Sequence, residues 1–308
     1  MNAICQTRFA DRRFAWLGEP LPDVAISFEV FPAKTPAAET RLWQSVDKLK
    51  ALQPSYVSVT CGAGGNPAEG TQALVAALRE RGLAAVPHLT CASSPRRDIE
   101  QIAARYRASG FRHIVALRGD RPKDGSHADP DRYRFASELV AALRRSGAFE
   151  ISVAAYPEPH PEAQSAAADL DNLKRKIDAG ASRAITQYCF DTDTILRFRD
   201  RMKAAGIAVP LAVGILPVHD FGQVRRFSER CGAGVPGWLC ALFEDLDDDP
   251  AQAALIAACV AAEQARRLIV EGIPQLHFYT LNRAELTIAA CRMLGLRAQA
   301  PRTAAAAA

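Results

Sequence analysis

The chain has 308 residues with 49% hydrophobic and 23% charged content and a formal net charge of +4, an ordinary balance for a globular protein that buries its core without staples. The arginines are spread over the chain and form no dense basic run, which argues against nucleic acid as a partner. No apolar run reaches the length of a bilayer span.

The opening residues, MNAICQTRFADRRFAW, lack the apolar core of a secretory signal. The eight cysteines form no CxxC pair, and most sit among apolar neighbours. The expectation is a cytoplasmic chain whose thiols are reduced, hold no metal and pack as small hydrophobes.

Residues 1–23 read as a lead segment. The first strand follows as VAISFEVF, residues 24–31, aromatic and β-branched. A helix is predicted next, with Thr35 as N-cap, Pro36 at its first position and Leu42, Val46 and Leu49 at helical spacing. Strands are then predicted at 56–61, 84–90, 113–118, 151–156, 183–190, 210–216 and 276–281, each bounded by Gly, Pro or charge. Between them lie amphipathic segments, several stopping at a glycine: Gly110, Gly180, Gly232 and Gly295.

Most strands begin about thirty residues after the previous one, the length of one βαβ unit. Eight such units predict a single-domain (β/α)8 TIM barrel over residues 24–297. The longer interval before the eighth strand reads as an inserted helix over 251–271, and residues 298–308 as a disordered tail. An open doubly wound sheet is the alternative. It would usually carry a Gly-rich nucleotide turn after its first strand, and FEVFPAKTP has none.

A barrel does its chemistry at the carboxyl ends of its strands. Those ends deliver Glu29, Thr60 followed by the Gly-rich CGAGGN, His88, Arg118-Gly119-Asp120, Tyr156 with His160 beyond it, Gln187, and Tyr279 and Thr280 with Arg283 following. That is too much polarity for a barrel core and reasonable for a site. His88 alone would more often be a core histidine. His113 and His277, taken as strand starts, read as structural. Glu29 lies between aromatics in SFEVF, where burial favours its neutral form.

SFEVFPAKT, YVSVTCGAGG, PHLTC, HIVALRGDRP, ISVAAYPEPHPEA, DLDNLKRKIDAGASRAITQYCFD, GILPV and HFYTLNRAE together resemble the methylenetetrahydrofolate reductases in their short bacterial form. The likeness runs in order from about residue 24 to about 297 and places a motif at nearly every strand end. It implies a barrel that holds FAD without a covalent bond. It also implies reduction of 5,10-methylenetetrahydrofolate to 5-methyltetrahydrofolate by NADH or NADPH, feeding methionine synthesis, in a homo-oligomer. The chain ends too soon to carry the S-adenosylmethionine-binding regulatory domain of eukaryotic members, so that inhibition is expected to be absent.

The resemblance assigns Glu29 as the catalytic acid and Asp120 as the aspartate beside the flavin. Gln187, Gln223, Phe227 and Arg283 correspond to the folate side. Thr60, Ala63, His88, Arg118, Gly119, Ala136, Tyr156 and His160 correspond to flavin contacts. Asp169, Asn172, Arg175 and Lys176 correspond to the helix holding the flavin's ribose, diphosphate and adenine end. These charges otherwise read as a solvated helix face. Cys61 and Cys189 stand where bacterial relatives have aromatic residues, and Phe135 where they have tyrosine.

The reaction so implied is ping-pong. Hydride passes from nicotinamide to flavin N5, and then to a folate 5-iminium cation that Glu29 helps to form and Asp120 stabilises. Two other readings stay open at this point. One is another pterin-binding barrel, such as a methyltransferase domain, which leaves the 169–176 helix without a task. The other is a barrel that binds a ligand without turnover.

Overall fold

A computed structural model of the chain describes residues 24–61, 68–92, 94–120, 129–147 and 149–297. Eight parallel strands close into a barrel in chain order. They are β1 (Ala25–Val30), β2 (Tyr56–Val59), β3 (Ala85–Thr90), β4 (His113–Leu117), β5 (Glu150–Ala155), β6 (Arg183–Thr186), β7 (Leu211–Ile215) and β8 (Gln275–Tyr279). The helices after β1 to β4 are α1 (Pro36–Lys50), α2 (Ala68–Glu80), α3 (Arg96–Ala108) and α4 (Ala136–Arg145). After β5, β6 and β7 come α5 (Ala166–Asp178), α6 (Thr192–Ala204) and α7 (Phe221–Cys231). Two more helices, α8 (Gly237–Leu242) and α9 (Pro250–Val270), precede β8, and α10 (Glu285–Met293) closes the chain's secondary structure.

The predicted barrel is therefore present, with the inserted helix where the long interval placed it. Strand bounds agree to within a few residues. The sixth differs most, ending at Thr186 instead of residue 190. There the Gln187 side chain accepts from Tyr188 N at 2.9 Å, which replaces the next rung of the ladder. The lead segment 1–23, the tail 298–308 and Ala63 lie outside the described residues.

Local signals explain the helices. Thr35 caps α1, its Oγ1 accepting from Ala38 N at 3.2 Å, and Leu42, Val46 and Leu49 are the buried stripe. Ser165 caps α5 and Asp220 caps α7 in the same way.

Strand alternation sorts the two sides of the barrel wall. Phe28 and Phe278 are opposite in register, with ring centroids 6.2 Å apart. Both are fully buried in the layer against the helices. Burying each contributes about 1.5–3 kcal/mol. Ser27 and Glu29 of β1, and His277 and Tyr279 of β8, consequently face the barrel interior. Below the mouth, Tyr56, Val86, Val115, Ile185 and Ala212 form a small apolar plug.

Gly214 is required by this packing. Its position lets the Tyr279 ring cross β7 and donate its hydroxyl to Thr186 O at 2.7 Å. A Cβ on residue 214 would sit 2.5 Å from Tyr279 Cε2 and also meet the Thr186 carbonyl oxygen. Gly214→Ala should therefore overpack the core and cost about 1–3 kcal/mol in denaturant unfolding. Unchanged stability would mean that Tyr279 swings aside freely.

Candidate active site

The carboxyl ends of the strands surround one cavity of about 1110 Å3. Each strand or the residues just after it contributes: Glu29, Thr60, His88, Arg118 to Asp120, Tyr156, Gln187, Leu216 and Tyr279. α5 adds Asp169, Asn172, Arg175 and Lys176, α4 adds Ala136, and α7 adds Phe227. Thus most of the residues singled out in the sequence meet in one place. Gln223 and Arg283 do not line the cavity. Gln223 is tied by its backbone to the α7 cap, Asp220 Oδ1, at 2.7 Å, and Arg283 is exposed beyond β8.

On the floor, the Glu29 side chain is 20% exposed, and its Oε2 lies 3.6 Å from His88 Nε2 and 3.8 Å from His277 Nε2. This corrects two expectations. The aromatic neighbour Phe28 does not surround the carboxyl, because adjacent strand residues point to opposite faces. Glu29 sits instead among imidazoles and the Tyr279 ring. His277 is not at a strand start on the stability face; it is the third residue of β8 and lines the site. His113 does keep a structural role, its Nε2 bonded to Ser152 Oγ at 2.7 Å beneath the cavity. Burial pushes His88 down to about 4, so its ring is neutral at ordinary pH.

Arg118-Gly119-Asp120 leaves β4 with a turn. Gly119 has φ +77, and a Cβ there would be 3.0 Å from the Thr90 Cβ, so only glycine sits there without strain. The same turn breaks the extended alternation that would have put Arg118 and Asp120 on one side. The Arg118 guanidinium instead makes a bidentate pair with Glu162, both contacts 2.9 Å. Asp120 is exposed at the cavity, and among the described residues no cation pairs with it.

The β5–α5 loop is pinned from both sides. His160 N donates to Asp169 Oδ2 at 2.9 Å, and Glu162 N donates to His160 Nδ1 at 3.0 Å. Tyr156 packs edge-on against the His160 ring with centroids 4.9 Å apart. Lys176 is 5% exposed and donates to Ala154 O at 2.6 Å. Burial pushes its ammonium down to about 8, against the opposing pull of Asp169. The cavity beyond the floor is lined by Arg118, Arg175 and Lys176 together with the carboxylates of Asp120, Glu162 and Asp169. The floor carries the carboxyl of Glu29. Three cavity-lining residues carry a buried polar atom with no hydrogen-bond partner among the described residues: Thr60 Oγ1, His88 Nε2 and Arg132 Nε.

The family model described as methylenetetrahydrofolate reductase matches residues 21–295. The chain belongs to this family. It is 50% identical over 275 residues to the 5,10-methylenetetrahydrofolate reductase of Pectobacterium carotovorum subsp. carotovorum, covering 89% of this chain and 91% of that one. The same-named protein of Escherichia coli (strain K12) is 47% identical over 282 residues, or 91% and 94% of the two chains. Among solved structures, an uncharacterized protein from Clostridium thermocellum that binds two copies of 5-methyl-5,6,7,8-tetrahydrofolic acid aligns with a TM-score of 0.59. It covers 92% of this chain and 97% of its own at 13% identity, a likeness that speaks for the barrel alone. The chain is thus an oxidoreductase of folate metabolism.

Within this reductase barrel the three positions that the sequence reading set apart from the family fall unequally. Cys61 lines the cavity. Phe135 stands at its rim, 47% exposed. Cys189 is buried, its Sγ turned to Asp191 O at 3.4 Å, and does not reach the cavity. The expectation that the thiols pack as small hydrophobes holds for Cys91, Cys189 and Cys291 but not for Cys259, which is exposed on α9. Glu162 and His277 were the site residues that the sequence reading missed. Glu162 lies within YPEPHPEA, and only its partner across the cavity reveals its task. No helix among the described residues is long and apolar enough to cross a membrane.

Proposed function

We propose that this reductase holds FAD in the cavity and reduces 5,10-methylenetetrahydrofolate to 5-methyltetrahydrofolate with NADH or NADPH, as a cytoplasmic homo-oligomer supplying methyl groups for methionine synthesis. The observation that carries this reading is the polarity of one continuous cavity. The Glu29 carboxyl stands at its floor, and Arg118, Arg175 and Lys176 line the remainder with Asp120, Glu162 and Asp169. Arg118, Arg175 and Lys176 are the residues that would hold the diphosphate of a dinucleotide. Thr60 Oγ1 and His88 Nε2, buried without partners, suit a ring edge rich in hydrogen-bonding atoms.

Bound FAD would supply hydride carriage between nicotinamide and folate. The chain's own residues do the rest. Glu29 donates a proton that opens the folate's five-membered ring to the 5-iminium cation. Asp120, exposed at the cavity with no paired cation among the described residues, stabilises that cation. Gln187 and Phe227 at the wall would orient the pterin, with Gln223 and Arg283 farther out along the folate. One cavity serving both substrates in turn gives ping-pong kinetics. A methyltransferase barrel would have no use for Arg175 and Lys176 on α5.

Titration of the apoprotein with FAD and FMN across pH tests the reading. FAD should bind at least about 100-fold more tightly, since a lost bidentate diphosphate contact costs at least about 3 kcal/mol. Lys176 titrates near 8 in the free chain, and only its charged form attracts a diphosphate. FAD affinity should therefore weaken as pH rises through about 8, and Lys176→Met should abolish that dependence. Equal affinity for FMN and FAD would remove the dinucleotide from the model of the site.

A further inference from the structure

His277 and Ser27 form a buried pair to which the reaction above gives no task. The imidazole is 1% exposed. Its Nδ1 lies 2.8 Å from the Ser27 hydroxyl, which also reaches the Leu276 carbonyl at 3.2 Å. A carbonyl only accepts, so a Ser27 hydroxyl that serves both contacts donates its one hydrogen to Leu276 O and accepts from Nδ1. In that arrangement neutral His277 carries its hydrogen on Nδ1, and Nε2 presents a lone pair towards Glu29 Oε2, 3.8 Å away.

That lone pair distinguishes the two forms of Glu29. A carboxyl hydrogen faces it favourably; a carboxylate faces it with lone pair against lone pair. His88 Nε2 approaches the same Glu29 oxygen at 3.6 Å; the other polar neighbours are committed elsewhere. The Tyr279 hydroxyl is committed to Thr186 O. Tyr56 of β2 offers its stacked ring, with centroids 5.9 Å apart. His113 of β4 is bonded to Ser152.

Tyr56, Tyr279, His88 and His113 around His277 hold no charge at neutral pH. Burial raises Tyr56 and Tyr279 and lowers His88 and His113. The Arg183 guanidinium, which lies over the Tyr56 ring, is paired with Glu150 at 2.9 Å.

We propose that His277, locked in its Nδ1–H tautomer by Ser27, is a positioning residue that keeps a proton on Glu29, so that the acid stays loaded at neutral pH. This rests on the reading of Glu29 as the proton donor in folate reduction. In each turnover the proton leaves the Glu29 carboxyl for the folate nitrogen, and the resulting carboxylate takes its next proton from water entering the open cavity. His277, sealed from solvent, changes the balance without itself being consumed.

The decisive variant is Ser27→Ala. Without its acceptor, Nδ1 no longer dictates the tautomer. The ring turns to Nε2–H, which donates to the Glu29 carboxylate and favours the anion. The alkaline limb of the folate half-reaction should then move down by about one pH unit, an approximately tenfold loss of rate on that limb. Ser27→Thr, which keeps the hydroxyl, should restore the limb. Imidazole nitrogen–proton NMR of the holoenzyme should show His277 protonated at Nδ1 in the parent and at Nε2 in Ser27→Ala. A parent His277 with its hydrogen on Nε2, or a limb that stays in place in Ser27→Ala, overturns the proposal. A chain that reduces no methylenetetrahydrofolate at any pH sinks the functional reading instead, and the tautomer spectrum still decides the inference.

Discussion

Glu29→Gln should slow the folate half-reaction by about 10²- to 10⁴-fold, the range for a lost general acid, while reduction of the flavin by NAD(P)H stays within about twofold. The substitution keeps the side chain's shape and removes its transferable proton. The surrounding packing gives little reason for collapse. Thr280 holds Glu29 through the backbone carbonyl at 2.6 Å, a bond the substitution leaves intact. The side-chain oxygen makes only the long approaches to the two imidazoles, 3.6 and 3.8 Å, and an amide N–H there can donate to either ring. Hydride transfer from nicotinamide involves no proton donor, so it has no claim on Glu29. Anaerobic stopped-flow measurement of each half-reaction separately gives the answer. A parallel fall in both would reassign Glu29 to holding the barrel floor in shape.

Asp120→Asn should act on the two halves in opposite directions. A fixed negative charge at the cavity opposes electron entry into a flavin bound there, so its removal should raise the flavin's reduction potential and ease reduction by NAD(P)H. The same charge stabilises the folate cation, so folate reduction should slow by about 10²-fold, a typical loss for one preorganised electrostatic contact. The alternative, that Asp120 merely braces Arg118, predicts lower stability and lost cofactor with no directional shift in potential. The structure gives that brace to Glu162, through two contacts of 2.9 Å. A redox titration of the variant, paired with its folate half-reaction, separates the two. An unchanged potential with ordinary folate turnover would take Asp120 out of the mechanism.

How far the sequence carries is clearest at β1 and β8. The alternation of VAISFEVF and LHFYTL is a property of neighbouring residues, and so are the Thr35 cap and the glycine stops. Each is a local preference that the fold leaves in force, which is why element order, the (β/α)8 class and the inserted helix were all legible. The motif at each strand end was legible for the same reason, since a barrel's geometry sends those ends to one mouth. The direction of a side chain was harder to read. SFEVF suggested an acid wrapped in aromatics, but the pleat turns Phe28 outward.

Contacts between distant residues had no local trace. Arg118 meets Glu162 across 44 positions, and Ser27 meets His277 across 250. The registers that align β1 with β8 and carry Tyr279 over Gly214 to Thr186 follow from closure of the barrel. By itself the sequence determined the elements, their order and the chemical types gathered at the mouth, because those depend on short-range propensity and periodicity. Only the tertiary structure decided which charge is paired, which carboxyl faces an imidazole and which hydroxyl meets His277 Nδ1, because those depend on distances that chain closure alone sets.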